Sequence, residues 1–402
     1  MIQRIRQVSI KNYKSIENDT VALEPFTVLV GRNGTGKSNF VDALAFTQES
    51  LSESVEFALH RRGGLAAVRR CSHGRPTNIS IQLTLELEAD LHAEYSFEII
   101  AKAKESFQIA RERCSIERFM GAHHVFEVHN GTFIKPIEGI RAQVASDRLA
   151  LYAASATEEF RPLYDFLTSM RFYSIAPDRL RELQKPDPGV SLNRDGSNSA
   201  AVLKRLKETM RGRQQYERLC RLLSKIVEGV RSVDHQAVGR NETLQFEQDV
   251  GLERPWTFEA LSMSDGTLRL VGLLLAIFQR GEHRLIAIEE PEATVHPAVM
   301  EAVVEILIDA SKEKQILLTT HSPDILDQKE IRDSEIRVVT LDKGRTIVAP
   351  LAESNREVIR DRLYTAGDLL RVDELAPDLE AHQNTIAGKK VYEPKLVDDN
   401  IT

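Results

Sequence analysis

Residues 26–46 read FTVLV-GRNGTGKS-NFVDALAF. The apolar run Phe26–Val30 predicts a strand. Gly31-Arg-Asn-Gly-Thr-Gly36-Lys37-Ser38 then matches G-x-x-x-x-G-K-[ST] in full. Phe40 and Leu44, with Val41 and Ala45, fall at i and i+4 and mark one buried face of a helix. Strand, glycine loop and helix follow in the order that this motif requires. The glycines let the backbone curl so that its N–H groups surround phosphates, and the helix aims its positive end at the same charge. Lys37 is expected to bridge β- and γ-phosphates, and Ser38 to hold Mg²⁺.

Downstream, Leu285 to Ile288 are four apolar residues followed by Glu289 and Glu290. That is the pattern of a buried parallel strand delivering two carboxylates at its carboxyl end. Glu289 is then expected to orient the Mg²⁺ shell and Glu290 to polarise the attacking water. In isolation the pair would read as two solvated glutamates at a strand end. Ser264-Asp-Gly266-Thr267 precedes a strongly apolar helix, a second helix start suited to an anion. By itself it reads equally well as a helix cap. His321 closes the strand Gln315–Thr320, where it can reach a γ-phosphate or serve as an ordinary turn residue.

The ordered set GRNGTGKS, LSMSDGTLR, LIAIEEPEATVHP and LLTTHSP resembles the heads of ABC-type ATPases. Within them it is similar to the AAA branch that includes RecF-like, SMC-like and OLD-nuclease ATPases. IKNYKSI resembles the strand that opens these heads, and LNRDGSNSAAVL a loop found in this branch, so the likeness runs over about residues 2–370. It implies an α/β fold, a P-loop NTPase of the ABC-ATPase head type with an antiparallel β subdomain and a helical lobe insertion. It implies ATP and Mg²⁺ as cofactors, held by Gly31, Asn33, Gly34, Gly36, Lys37, Ser38 and Asn39, with Ser38 and Glu289 on the metal. Lys37, Glu290 as base and His321 as switch histidine form the implied catalytic set. Ser264 and Gly266 form the signature loop, which in such heads serves the nucleotide of a second subunit. The resemblance therefore implies a dimer of two chains with ATP sandwiched between them, or a higher oligomer built from such dimers. Two departures stand out: Glu289 replaces the more usual Asp, and His296 stands where transporter-type heads carry an Asp. Of candidate linker glutamines, Gln184 is the one near a strand-to-helix junction, whereas Gln82 lies mid-strand.

The chain has 402 residues, 42% apolar and 28% charged, enough for two to three domain-sized units and a large core. The motif order assigns 1–118 and 256–376 to one interleaved head, 119–255 to a mainly helical insertion, and 377–402 to a loosely held polar tail. A net charge of −7 excludes a basic coat protein for nucleic acid. Arg61, Arg62, Arg69, Arg70, Arg179, Arg181 and the run Lys204–Arg213 remain as local sites for DNA or RNA, or as a solvated face. Cys71, Cys114 and Cys220 have no zinc or redox spacing and predict reduced thiols. His123, His124 and His129 lack helper ligands and read as surface residues of a hairpin. The longest apolar stretch, Val271–Phe278, is far too short for a membrane span, which needs about 20 residues. A cytoplasmic protein without membrane contact is expected.

No Asp-x-Asp pair occurs, so a Toprim nuclease domain of the OLD type is not expected in this sequence, nor a zinc hook or a coiled-coil arm. By resemblance, a standalone head of this size acts as a nucleotide-gated switch in bacterial anti-phage defence, with a separately encoded nuclease or toxin as partner. A RecF-like ATPase that loads on DNA for repair is the first alternative. A scaffold that binds ATP without hydrolysing it is the second.

Overall fold

The computed structural model describes residues 2–70, 78–102, 106–118, 121–136, 144–145, 147–251 and 253–388. The chain begins with β1 (Arg4–Tyr13), β2 (Ile16–Ala22) and β3 (Phe26–Val30). A helix, Lys37–Ser52, follows the glycine loop. Then come β4 (Asn78–Glu88), β5 (Leu91–Ala101), β6 (Phe107–Arg118), β7 (His123–His129) and β8 (Thr132–Lys135). After two short helices β9 (Arg171–Tyr173) appears, and beyond it a lobe containing β10 (Val230–Val238), β11 (Asn241–Gln248) and β12 (Trp256–Glu259). The last part alternates β13 (Leu285–Glu289) and β14 (Gln315–Thr320) with helices and closes with the pair β15 (Ile336–Asp342) and β16 (Arg345–Pro350).

These strands form three sheets. The core sheet has the order β16-β15-β3-β14-β13-β9, parallel throughout except for β16. Every residue of β3, β13 and β14 is buried, as expected of strands covered on both faces. The pleat divides their side chains between two cores. Leu29, Leu285, Ala287 and Leu317 face one cluster, with Phe40, Leu44 and Phe46 of the helix Lys37–Ser52. Val28, Val30, Ile286, Ile288, Ile316 and Leu318 face the other, with the helix Asp265–Phe278 and the lobe.

The first core is closed by the second sheet, an antiparallel meander ordered β2-β1-β4-β5-β6-β7-β8. In β4, buried and half-buried residues alternate strictly, so Ile79, Ile81, Leu83, Leu85 and Leu87 form one inward row. The stretch 119–255, expected to be mainly helical, contributes strands to all three sheets. β7 and β8 extend the meander, β9 edges the core sheet, and β10 and β11 join β12, just beyond the stretch, in the third sheet. The β10–β11 hairpin turns at Gly239-Arg240 with Gly239 at φ 61°. Its polar outer face hides the alternation of Val230, Val233, Leu244 and Phe246, the residues that pack inward.

The tail also differs from the expected loose segment as far as residue 388. Helix Leu379–Gly388 lies on β2 and β16, with His382 buried and its Nδ1 3.4 Å from Asp19 Oδ1. Residues 389–402 lie outside the described ones. Asp19 also accepts a 2.8 Å hydrogen bond from Val348 N, yet burial pushes its carboxyl up to about 7. A carboxyl raised on folding stabilises the protein below its unfolded value and loses that contribution as pH rises through the folded value. The wild type should therefore lose about 1 kcal/mol between pH 6 and 8 through Asp19. Asp19→Asn removes this part of the slope, checked by urea unfolding of both proteins across that range.

Candidate nucleotide-binding site

β3 runs into the glycine loop, and the loop is held open by backbone geometry that only glycine satisfies at its crowded points. Gly36 has φ 104°, and a Cβ there would lie 2.0 Å from Thr346 Oγ1. At Gly31 a Cβ would meet the Val339 carbonyl at 2.1 Å. Gly34, at φ 80°, faces open space together with the exposed Asn33. Thr346 of β16 braces the loop by donating to Thr35 O at 2.7 Å and meeting Ser15 Oγ at 2.6 Å. Asn39 joins this brace, its amide donating to Ser15 Oγ at 2.6 Å. Its side chain is thus used to hold the loop to the β1–β2 turn.

Lys37 is 5% exposed, and its Nζ donates to Gly31 O at 2.7 Å and Arg32 O at 3.1 Å. Burial lowers its pKa, while the charges of Glu290 and Glu292 oppose that shift. The ammonium therefore lies in the field of the acids that end β13. Ser38 is exposed in the first turn of the same helix. Gly36 supplies no capping side chain, so that helix start presents its dipole unshielded.

β13 and β14 are paired in register, with Glu289 opposite Thr319. Glu289 is buried at the strand end, and Glu290 turns out of the strand with φ 45°, a left-handed conformation for a non-glycine residue. Its N–H donates to Thr319 O at 3.0 Å and Thr319 Oγ1 at 3.3 Å, which holds that conformation. The turn leaves the Glu290 carboxylate part-exposed, with Oε1 3.5 Å from His321 Nδ1. The three parallel strands β3, β14 and β13 thus bring the glycine loop, His321 and the two acids to one edge. A carboxylate, an imidazole and a lysine beside an unshielded helix start suit a triphosphate and the water that would attack it.

Three residues complete the site that the sequence reading did not single out. Glu292 accepts hydrogen bonds from Thr320 Oγ1 at 2.6 Å and His321 N at 3.1 Å, and its Oε1 lies 3.5 Å from His321 Nδ1. Its other oxygen is buried without a partner. Its position two residues beyond Glu290 was the available signal. Arg269 donates to Glu290 O at 3.2 Å and fixes the turn from the helix Asp265–Phe278. Arg194 places a guanidinium nitrogen 2.5 Å from Glu289 Oε1. Nothing in sequence spacing joins positions 194 and 289.

Ser264 caps the helix Asp265–Phe278, accepting from Thr267 N at 3.2 Å and meeting Thr267 Oγ1 at 2.9 Å. It is exposed and bonded to neither Lys37 nor the acids. Gly266 passes close to the segment after Glu290, since a Cβ there would be 3.1 Å from Thr294 O. His296, where transporter-type heads carry an Asp, is exposed on that same segment. Gln184 is not at the phosphate end. It is 4% exposed, donates to Ser199 Oγ at 2.9 Å and accepts from Ala200 N at 2.9 Å, which fastens a lobe helix.

Two of the four arginines at 61–70 are consumed in the interior, while Arg61 stays exposed and Arg69 half-buried. Arg62 pairs with Asp42 at 2.9 Å and Glu49 at 2.5 Å, and Arg70 is 8% exposed with bonds to Ser15 O and Gly344 O. In the lobe run, Lys204 pairs with Glu242 and Lys207 with Asp234. A cleft of about 570 Å³ lined by Arg211, Arg218, Arg280, Arg284 and Lys314 lies at the amino ends of β13 and β14, opposite the glycine loop. Its cations answer local needs: Lys314 donates to Ile277 O at 3.0 Å and Arg218 pairs with Asp309 at 2.6 Å. Among the described residues no group of three metal-ligating side chains is found, and no helix is long and apolar enough to cross a membrane. His123 lies by Ser115 Oγ and His129 by Glu127 on β7, while Cys114 is a buried free thiol, Cys220 a half-buried one, and Cys71 lies outside the described residues.

Comparison with known proteins agrees with this geometry. The family described as "AAA domain, putative AbiEii toxin, Type IV TA system" matches residues 26–327. An SMC head bound to the C-terminal winged-helix domain of ScpA superposes with a TM-score of 0.55 at 13% identity, covering 88% of this chain and 99% of that one. An SMC head with an extended coiled coil, bound to the C-terminal domain of ScpA and derived from Pyrococcus furiosus, gives 0.53 at 13% identity, covering 90% and 100%. An SMC head with a coiled coil and joint from Pyrococcus yayanosii gives 0.50 at 13%, covering 90% and 100%. The fold is that of an ABC-type P-loop ATPase head, with the antiparallel subdomain and lobe expected from the motifs.

Proposed function

From the premise that the chain belongs to this AAA-domain family, we propose that it hydrolyses ATP and works as a nucleotide-gated dimeric switch. One observation carries the reading: loop Gly31–Ser38, the acids Glu289 and Glu290, and His321 converge at the carboxyl ends of three adjacent parallel strands. The residues fit a triphosphate, because the crowded glycine turn leaves the backbone free to surround it and Lys37 stands at its end.

In this reading Lys37 leaves the carbonyls of Gly31 and Arg32 for the β- and γ-phosphates. Ser38 and Glu289 hold Mg²⁺, which when bound supplies charge neutralisation between the phosphates. Glu290 accepts the proton of the attacking water, and its strained backbone keeps the carboxylate turned outward for that task. His321, fixed through its backbone by Glu292, donates toward the γ-phosphate. Ser264 and Gly266 serve the site of a second copy, because in one chain they touch none of these groups. The family's description, naming a toxin and a type IV toxin–antitoxin system, supports a place in defence with a separately encoded effector. The burial of Arg62 and Arg70 takes two of the four arginines of the 61–70 turn away from a DNA-loading role.

Mixing two inactive variants tests the shared site. Lys37→Ala disables the phosphate loop and Ser264→Arg the signature loop. Each alone should be silent in a phosphate-release assay, and an equimolar mixture should recover about a quarter of wild-type turnover, since half the dimers then hold one intact site. Full turnover by Ser264→Arg alone would dismiss the shared dimer, and no phosphate release from the wild type would leave a non-hydrolysing scaffold.

A further inference from the structure

The ion pair between Arg194 and Glu289 joins the lobe to the metal-side acid, and the loop carrying Arg194 is built to present it. Residue 193 is bonded through its N–H to Asn198 Oδ1 at 2.8 Å, and the Asn198 amide reaches Asp187 Oδ1 and Ser191 O, each at 3.0 Å. Ser197 N donates to Asp195 Oδ1 at 3.0 Å. Gly196, at φ 84°, lies so close beneath Leu180 that a Cβ would be 2.5 Å from Leu180 Cδ1. The Arg194 carbonyl accepts from Ser174 N at 2.8 Å, and Tyr173 stands opposite Ile288, which lays the loop over the end of β13. The Arg194 side chain is nonetheless 45% exposed, whereas that of Glu289 is 10% exposed. The loop is fastened by these bonds, while the guanidinium stays open to solvent on one side.

The same lobe unit grips the signature loop at its other end. Helix Pro177–Arg181, which follows Ser174, sends Arg181 to Asp265 and, at 3.2 Å, to Met263 O. Arg194 and Arg181 therefore tie one compact segment to the metal-side acid and to the residues flanking Ser264.

Resting on the reading of this site as an ATP site, we propose that Arg194 distinguishes a triphosphate from a diphosphate: it neutralises Glu289 until metal and ATP arrive, then moves from that carboxylate to the γ-phosphate. Two physical reasons support the exchange. A cation and a metal ion compete for one carboxylate, so metal entry at Glu289 releases the guanidinium. A guanidinium freed beside new anionic oxygens forms charge-assisted bonds with them, in the planar geometry that arginine favours. The diphosphate offers no such oxygens at that end.

The test uses the full chain and fluorescent mant-ATP and mant-ADP with Mg²⁺, alongside Mn²⁺ titrations by electron paramagnetic resonance in the presence of ADP. Arg194→Ala should lower the ATP-to-ADP affinity ratio about tenfold, the size of one lost charge-assisted bond. It should also tighten Mn²⁺ binding with ADP, because the competitor for Glu289 is gone. A purely structural role would weaken both ligands in proportion and loosen Mn²⁺ as well. An unchanged ratio, or weaker Mn²⁺ binding, overturns the proposal. Lys37→Ala serves as the control: if it leaves mant-ADP binding intact, the ATP reading itself has failed, whichever way Arg194→Ala behaves.

Discussion

Glu290→Gln should bind ATP normally, release phosphate about 10³-fold more slowly than the wild type, and accumulate as a dimer on adding ATP and Mg²⁺. The substitution keeps the shape of the side chain, and the strained turn at φ 45° is held by backbone bonds to Thr319 that an amide leaves alone. What is lost is an acceptor for the proton of water. Glu289 and Glu292 cannot substitute. One is buried against Arg194, and the other is occupied by Thr320 and the His321 backbone. Affinity should hold, since Lys37 stays in place with its bonds to Gly31 and Arg32 until phosphates replace them. Steady-state phosphate release and light scattering after gel filtration, with and without ATP, check both halves. Turnover within twofold of wild type would take Glu290 out of the mechanism.

The second large effect concerns one methyl group. Gly36→Ala should abolish nucleotide binding and destabilise the protein by roughly 2–4 kcal/mol. Two penalties coincide there. The backbone has φ 104°, outside what an L-residue adopts without strain. The new Cβ would also lie 2.0 Å from Thr346 Oγ1 and 2.9 Å from Thr346 Cβ. Thr346 cannot swing away cheaply: it is β-branched, 3% exposed and bonded to both Thr35 and Ser15. Gly34→Ala is the informative partner, since a Cβ there meets nothing within 4 Å and only the φ of 80° is strained. Urea unfolding and mant-ATP titration should rank Gly36→Ala well below Gly34→Ala on both counts.

The contrast between these two glycines shows where sequence reading stops. The motif fixes Gly36 and leaves position 34 variable, but the crowding that sets the size of the difference comes from β16, more than 300 residues along the chain. The fate of the arginines makes the same point. Arg62 and Arg70 looked like a basic turn, and are buried because Asp42, Glu49 and two backbone carbonyls meet them from other elements. The β10–β11 hairpin was missed because its outward residues are polar and its inward ones are widely spaced.

The sequence by itself determined the strand, glycine loop and helix at Phe26–Ser52, the acidic strand end, and the histidine that closes the neighbouring strand. Local patterns carry that information: runs of buried apolar residues dictate parallel strands, and their carboxyl ends fall together once the strands align. Only the tertiary structure decided that Glu292 holds the segment Thr320–His321, that Arg194 sits on Glu289, and that Asn39 and Gln184 brace the framework. Those assignments depend on distances between side chains far apart in the chain, and no spacing rule along one dimension encodes a 2.5 Å contact across 95 residues.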